Sequence, residues 1–216
     1  MKNRTRSSSP KSRVAQSAAL PGAERLSARE RLLAAAQELF YEEGINTVGI
    51  DRVIERAGVA KASLYDCFGS KEELIRSYLA ARQETREARM RAELAKFKSP
   101  RERLLGVFDV MAKLLAESNY RGCAFVRASA EIRTGSSVKT VCDEARAWLH
   151  SLFTGLAKEV GVAQPTRLAK QLVLLYDGAS VSAQMDQNRG AAAAARAMAE
   201  VILEAAMAAT VMTQGK

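Results

Sequence analysis

Residues 47–71, TVGIDRVIERAGVAKASLYDCFGSK, constrain this chain more tightly than any other stretch. Val48, Ile50, Val53, Ile54 and Ala57 fall on one face of a short helix, and Asp51, Arg52, Glu55 and Arg56 take the other side. Thr47 is placed to cap that helix by accepting a backbone N–H bond. Gly58 is placed to end it, because a helix C-terminus favours the left-handed conformation that glycine adopts at least cost. A second short helix is predicted over about residues 61–68. Leu64 and Phe68 share one face of it, with Val59 leading in, and lock it onto the first. Lys61, Ala62, Ser63, Tyr65 and Asp66 are left on the opposite face. That face is polar and partly small, so it can press close to base edges or to a phosphate backbone. Two helices, a glycine turn and an exposed second helix make the helix-turn-helix pattern, whose second helix enters the DNA major groove. The same spacing also suits a plain helical corner, and the neighbouring residues decide between them.

Those neighbours are Arg31-Leu32-Leu33-Ala34-Ala35-Ala36, Leu39-Phe40, Gly44 and Thr47, then Ile54 and Ala57-Gly58-Val59. Ser63-Leu64-Tyr65, Phe68 and Ser70-Lys71-Glu72-Glu73-Leu74 follow. Taken together over residues 26–79, they resemble the signature of the TetR (tetracycline repressor) family of bacterial transcription regulators. The string RGCAFVRASAEI further along is similar to the corresponding region of many members, more weakly. The chain departs from the usual pattern after Tyr65, where many relatives carry an aromatic or His pair and this chain has Asp66-Cys67. Asp66 faces phosphates poorly, so it either meets a cytosine amino group or sits off the DNA.

Composition agrees with an all-α protein. Apolar residues make up 48% of 216, enough for a core, and Pro is scarce at four. No uncharged apolar run is long enough to span a membrane, and the N-terminus has no apolar segment of the secretory kind, so a cytoplasmic protein is expected. The net charge of +9 suggests an acidic partner, with nucleic acid first. Much of that charge lies before residue 26, since carboxylates offset the basic residues of residues 26–79. Cys67, Cys123 and Cys142 form no metal-type pair, and His150 is the one histidine. No metal site, no cofactor and no catalytic set is therefore expected.

Read in order, residues 1–25 form a Ser-, Arg- and Lys-rich tail, expected to be disordered. Residues 26–70 form a three-helix head. Its first helix opens on the capping box Ser27–Glu30 and stops at Gly44. Residues 71–216 form a helical bundle for effector binding and dimerisation. Ser70 and Glu73 make a second capping box, opening a long helix that links head to body. Ser99-Pro100 and Gln164-Pro165 open further helices, Gly161 ends one, and an Ala-rich helix closes the chain. The last two helices are apolar on more than one face, which calls for burial on both sides.

The resemblance implies a homodimeric repressor, released from a near-palindromic double-stranded operator by a small-molecule effector. Thr47, Ser63, Tyr65 and Lys71 are expected to contact phosphates. Lys61 is expected to read a base edge, and Ala62 to touch a thymine methyl or to allow close approach. Phe108, Met111, Phe125, Trp148 and Phe153 are candidates for the effector pocket, with Arg127 or Glu131 as polar anchors. Leu168, Leu172, Leu175 and Ala179 are candidates for a four-helix dimer interface. Two other readings stay open: a thiol-based redox sensor on the same scaffold, using the three cysteines, and a helical adaptor that does not bind DNA.

Overall fold

The computed structural model describes residues 26–132, 135–187 and 190–214. The predicted basic tail, 1–25, lies outside the described residues. The fold is all-α, in the order α1 Ala28–Glu43, α2 Ile50–Ala57, α3 Lys61–Phe68, α4 Lys71–Leu94, α5 Pro100–Leu115, α6 Ala124–Glu131, α7 Val138–Val160, α8 Pro165–Met185 and α9 Ala191–Gln214.

Local chemistry sets most of the helix ends. Ser27 accepts from the Glu30 N–H, and the Glu30 carboxylate accepts from the Ser27 N–H at 2.7 Å, so the first capping box is complete. Ser99 and Glu102 form an equivalent box before α5, with Pro100 in the first turn. Gly58 ends α2 at φ 60°, ψ 45°, the left-handed conformation expected of it. Two expected caps are corrected. Thr47 does not cap α2; Gly49 holds that position, without a side-chain bond. Ile45 and Val48 are both buried, and their insertion into the head core holds 45–49 as a turn, so the helix starts only after it. At α4, Ser70 accepts from the Glu73 N–H, but the Glu73 carboxylate bonds Arg76 at 2.7 Å instead of reaching back.

Two hydrophobic cores organise the molecule. The first joins Leu32, Phe40, Val53, Leu64 and Phe68 of the head to Leu74, Tyr78 and Leu79 of α4, Phe125 and Ala128 of α6, and Val141 of α7. Packing thus runs straight across residue 70. The second fills the body from α5, α7, α8 and α9. At its centre Phe108, Phe153 and Tyr176 lie with ring centroids 5.8–6.4 Å apart. Polar contacts reinforce the seam between head and body. The Tyr41 hydroxyl accepts from the Arg121 N–H at 2.9 Å and donates to the Gly122 carbonyl at 3.3 Å. Asn46 donates to the Glu131 carboxylate and carbonyl, and Arg127 donates to the Tyr41 carbonyl. Among the described residues no helix is long and apolar enough to cross a membrane.

Candidate nucleic-acid interface and effector cavity

The helix α3 is anchored from one side only. Leu64 is fully buried and Phe68 nearly so, while Lys61, Ala62, Tyr65 and Asp66 on the opposite side are exposed and Ser63 is half-buried. Tyr65 is 45% exposed. The N-cap residue Ala60 offers no side chain to the first N–H groups of α3, so the positive end of that short helix is uncapped. Thr47 stands exposed in the turn before α2.

The lysines behave differently from each other. Lys61 donates to Asp51 at 2.8 Å across the helix-turn-helix, and that bond raises its pKa. Lys71, the first residue of α4, is half-buried; burial lowers its pKa, and the nearby Glu131 works against that. The head's arginines are engaged inside the head. Arg52 pairs with Glu43, Arg56 pairs with Glu38, Arg31 donates to the Gly58 carbonyl at 2.6 Å, and Arg29 lies over the Phe68 ring.

The body holds a cavity of about 300 Å³ between α4, α5, α6 and α8, with the end of α1 at its wall. Met111 and Phe125 of the predicted pocket residues line it. The others do not. Phe108 and Phe153 are fully buried in the aromatic centre of the body, and Arg127 is a strut between α6 and the end of α1. Trp148 sits behind Arg86, whose guanidinium lies 4.5 Å from its ring. Glu131 is spent on Asn46. The lining missed on the sequence has an apolar part, Met90, Val110 and Leu114, and a polar part, Tyr41, Arg82, Arg86, Arg89, Tyr120 and Ser180. The spacing 82, 86, 89 places three arginines on one face of α4, and that signal was legible. A second cavity of about 440 Å³ shares Arg86, Cys123, Phe125, Tyr176 and Ser180 with the first. Burial pushes the Tyr120 hydroxyl up to about 12, and it bonds Ser180 at 2.9 Å.

The predicted interface on α8 is also corrected. Leu168, Leu172 and Ala179 are buried in the chain's own core, and Leu175 packs half-buried against it. The outward face of α8 is instead Leu174, Val181 and Met185, at helical spacing, beside Met198, Val201 and Val211 on α9. Among the described residues no group of His, Cys, Asp and Glu is placed to hold a metal ion.

A three-helix head with one helix presented outward, carried on an all-α body with an internal cavity, defines a helix-turn-helix regulator. Residues 32–78 match the family model of bacterial regulatory proteins, tetR family. A TetR transcriptional regulator of Streptomyces avermitilis, known from its crystal structure, is 31% identical over 84% of this chain and 98% of its own, with a TM-score of 0.76. The TetR-family regulator of Streptomyces coelicolor matches at 29% identity over 83% and 95%, with a TM-score of 0.78. The HTH-type transcriptional activator FasR of Mycolicibacterium smegmatis is 31% identical over 125 residues, 53% of this chain and 57% of FasR. The chain therefore spans about half the length of the curated relatives it matches there. The chain belongs to the TetR family of bacterial regulatory proteins, a family of regulators rather than enzymes.

Proposed function

We propose that the protein is a homodimeric repressor that binds a near-palindromic DNA operator and leaves it when a small molecule fills the α4–α8 cavity. The observation that carries this is α3: a helix held by Leu64 and Phe68 whose other face, Lys61, Ala62, Tyr65 and Asp66, is exposed. In this reading Lys61 reads a base edge and Ala62 permits close approach. Thr47, Ser63, Tyr65 and Lys71 hold phosphates. The apolar outer face of α8 and α9 meets its copy, setting two α3 helices roughly 34–36 Å apart, in successive major grooves. Tyr41 links the two functions, because it lines the cavity while its hydroxyl ties the end of α1 to residues 121–122.

The test is selection of bound fragments from genomic DNA with the purified protein. The expected outcome is an enriched palindrome. Leu174→Glu, at a position 70% exposed in the single chain, should leave folding intact while splitting the dimer and weakening operator binding. Recovery of no preferred sequence, or a wild type that sediments as a monomer, would count against the proposal. A thiol switch is the weaker reading: burial pushes Cys142 up to about 11, away from the reactive thiolate, which leaves the half-buried Cys67 and Cys123 to carry it. If an effector rather than a thiol controls release, peroxide should act on wild type and a triple Cys→Ser variant to the same extent.

A further inference from the structure

We infer that the effector is an organic anion, an amphipathic molecule with a carboxylate-like head and an apolar body. Arg82 and Arg86 of α4 are the residues that take the head. This rests on the cavity being the effector site. The first argument is a charge inventory of the two joined cavities. Every carboxylate that lines them already has a basic partner: Glu117 with Arg89, Asp177 with Arg146 and Asp143 with Lys139. Arg82 and Arg86 have no carboxylate partner among the described residues. Their Nε atoms are buried and make no hydrogen bond; the polar contacts they do have are neutral ones, the Tyr78 hydroxyl for Arg82 and the Ala145 carbonyl, at 3.5 Å, for Arg86. A half-buried guanidinium without an anion is a costly arrangement, and one that a ligand anion relieves.

The second argument is how the two groups are held. The Arg82 guanidinium lies 3.6 Å from the Tyr41 ring centroid, and that of Arg86 lies 4.5 Å from the Trp148 centroid and 5.5 Å from that of Phe125. A guanidinium held against aromatic rings by cation–π attraction uses none of its N–H donors in doing so, and those donors are the forked set that fits a carboxylate. The third is the rest of the wall. Met90, Val110, Met111 and Leu114 supply an apolar surface beside the arginines, and Tyr120 and Ser180 add hydroxyls. A simple inorganic anion would leave that apolar wall uncovered, and a neutral molecule would leave the arginines unpaired.

The test uses the full chain and two matched pairs of probes: naphthalene-2-carboxylate with naphthalene-2-carboxamide, and decanoate with decanamide. Binding is followed by calorimetry at one fixed ionic strength, and thermal melting checks that each variant is folded. In at least one pair the wild type should bind the acid about tenfold or more tightly than the amide. Arg82→Gln and Arg86→Gln should each erase most of that preference, and Arg82→Lys should restore part of it. Since the acid-to-amide ratio is read on wild type alone, poor folding of a variant does not remove the test. Equal binding of acid and amide would overturn the anion while leaving the cavity as the effector site. A preference surviving in both Gln variants would place the acid elsewhere and also overturn it. Binding of neither pair at millimolar concentration would sink the anion and the cavity together.

Discussion

In the head, Arg52 and Arg56 of α2 reach back to Glu43 and Glu38 on α1, and Lys61 of α3 reaches Asp51. In the body, Arg82 and Arg86 of α4 have aromatic rings for neighbours and, among the described residues, no carboxylate partner. The head's pairs are exposed, with side chains 30–79% accessible, so water screens them and each is weakly held. Exchange of Asp51 for another acceptor would therefore cost Lys61 little, as the proposed reading of a base edge requires. Arg82 and Arg86 are half-buried, where screening is weaker and an unmatched charge matters more. In the head, carboxylates pair with the basic side chains of the helix-turn-helix. In the body, Arg89 is paired with Glu117, and Arg82 and Arg86, which line the same cavity, have no carboxylate partner among the described residues. The same residue type is thus paired with carboxylates in one place and left without them in the other, and the surroundings decide which.

Substitutions can break that contrast, beginning with the largest expected effect. Lys61→Ala should lower affinity for the preferred operator roughly ten- to hundred-fold and relax preference at one position in each half-site. Binding to operator and to single-base variants checks it; an unchanged preference would show that the Lys61–Asp51 bond persists on DNA and that Lys61 belongs with the scaffold cations. Lys71→Ala should weaken operator and scrambled DNA about equally, by roughly severalfold, and reduce the salt slope by about one per site as one counterion fewer is released. A salt titration reads this directly, and a change in sequence preference would reverse the roles given to the two lysines.

Tyr41→Phe keeps the ring under Arg82 but removes the hydroxyl bonds to residues 121–122. It should cost about 1 kcal/mol in stability by urea unfolding and leave binding of the anionic probe unchanged. If probe binding fell with it, the hydroxyl would belong to the cavity rather than to the seam. The smallest effect is expected at the α1–α2 pair. Arg56→Ala and Glu38→Ala should each change stability by no more than about 1 kcal/mol, with a coupling within that range in a double-mutant cycle. A markedly larger coupling would show that the head's pairs hold it together and would narrow the contrast with the body.

The head was largely legible before any coordinates. Its signals are local: Ser27 with Glu30, Gly58 in the left-handed region, and Leu64 with Phe68 four residues apart all act within a turn or two of helix. Helix ends written by capping residues can be read from neighbours in the chain. Thr47 was misread because Val48, the next residue, is drawn into a core built from elements far along the sequence. The exposed face of α3 followed from its apolar face, since eight residues leave little choice of phase.

The sequence alone thus determined the all-α class, the position of the helix-turn-helix and the exposed side of its second helix, because periodicity and caps are properties of short stretches. Only the tertiary structure decided which side of α8 is inside. With apolar residues on several sides, the helix has no readable phase; packing against α7 and α9 takes Leu168, Leu172 and Ala179 inward and leaves Leu174, Val181 and Met185 outside. Tertiary structure likewise decided the fate of the α4 arginines. Their spacing is visible in the sequence, but whether a charge is paired depends on what arrives from elsewhere. Here that is Tyr41 from α1, Phe125 from α6 and Trp148 from α7, rings rather than carboxylates.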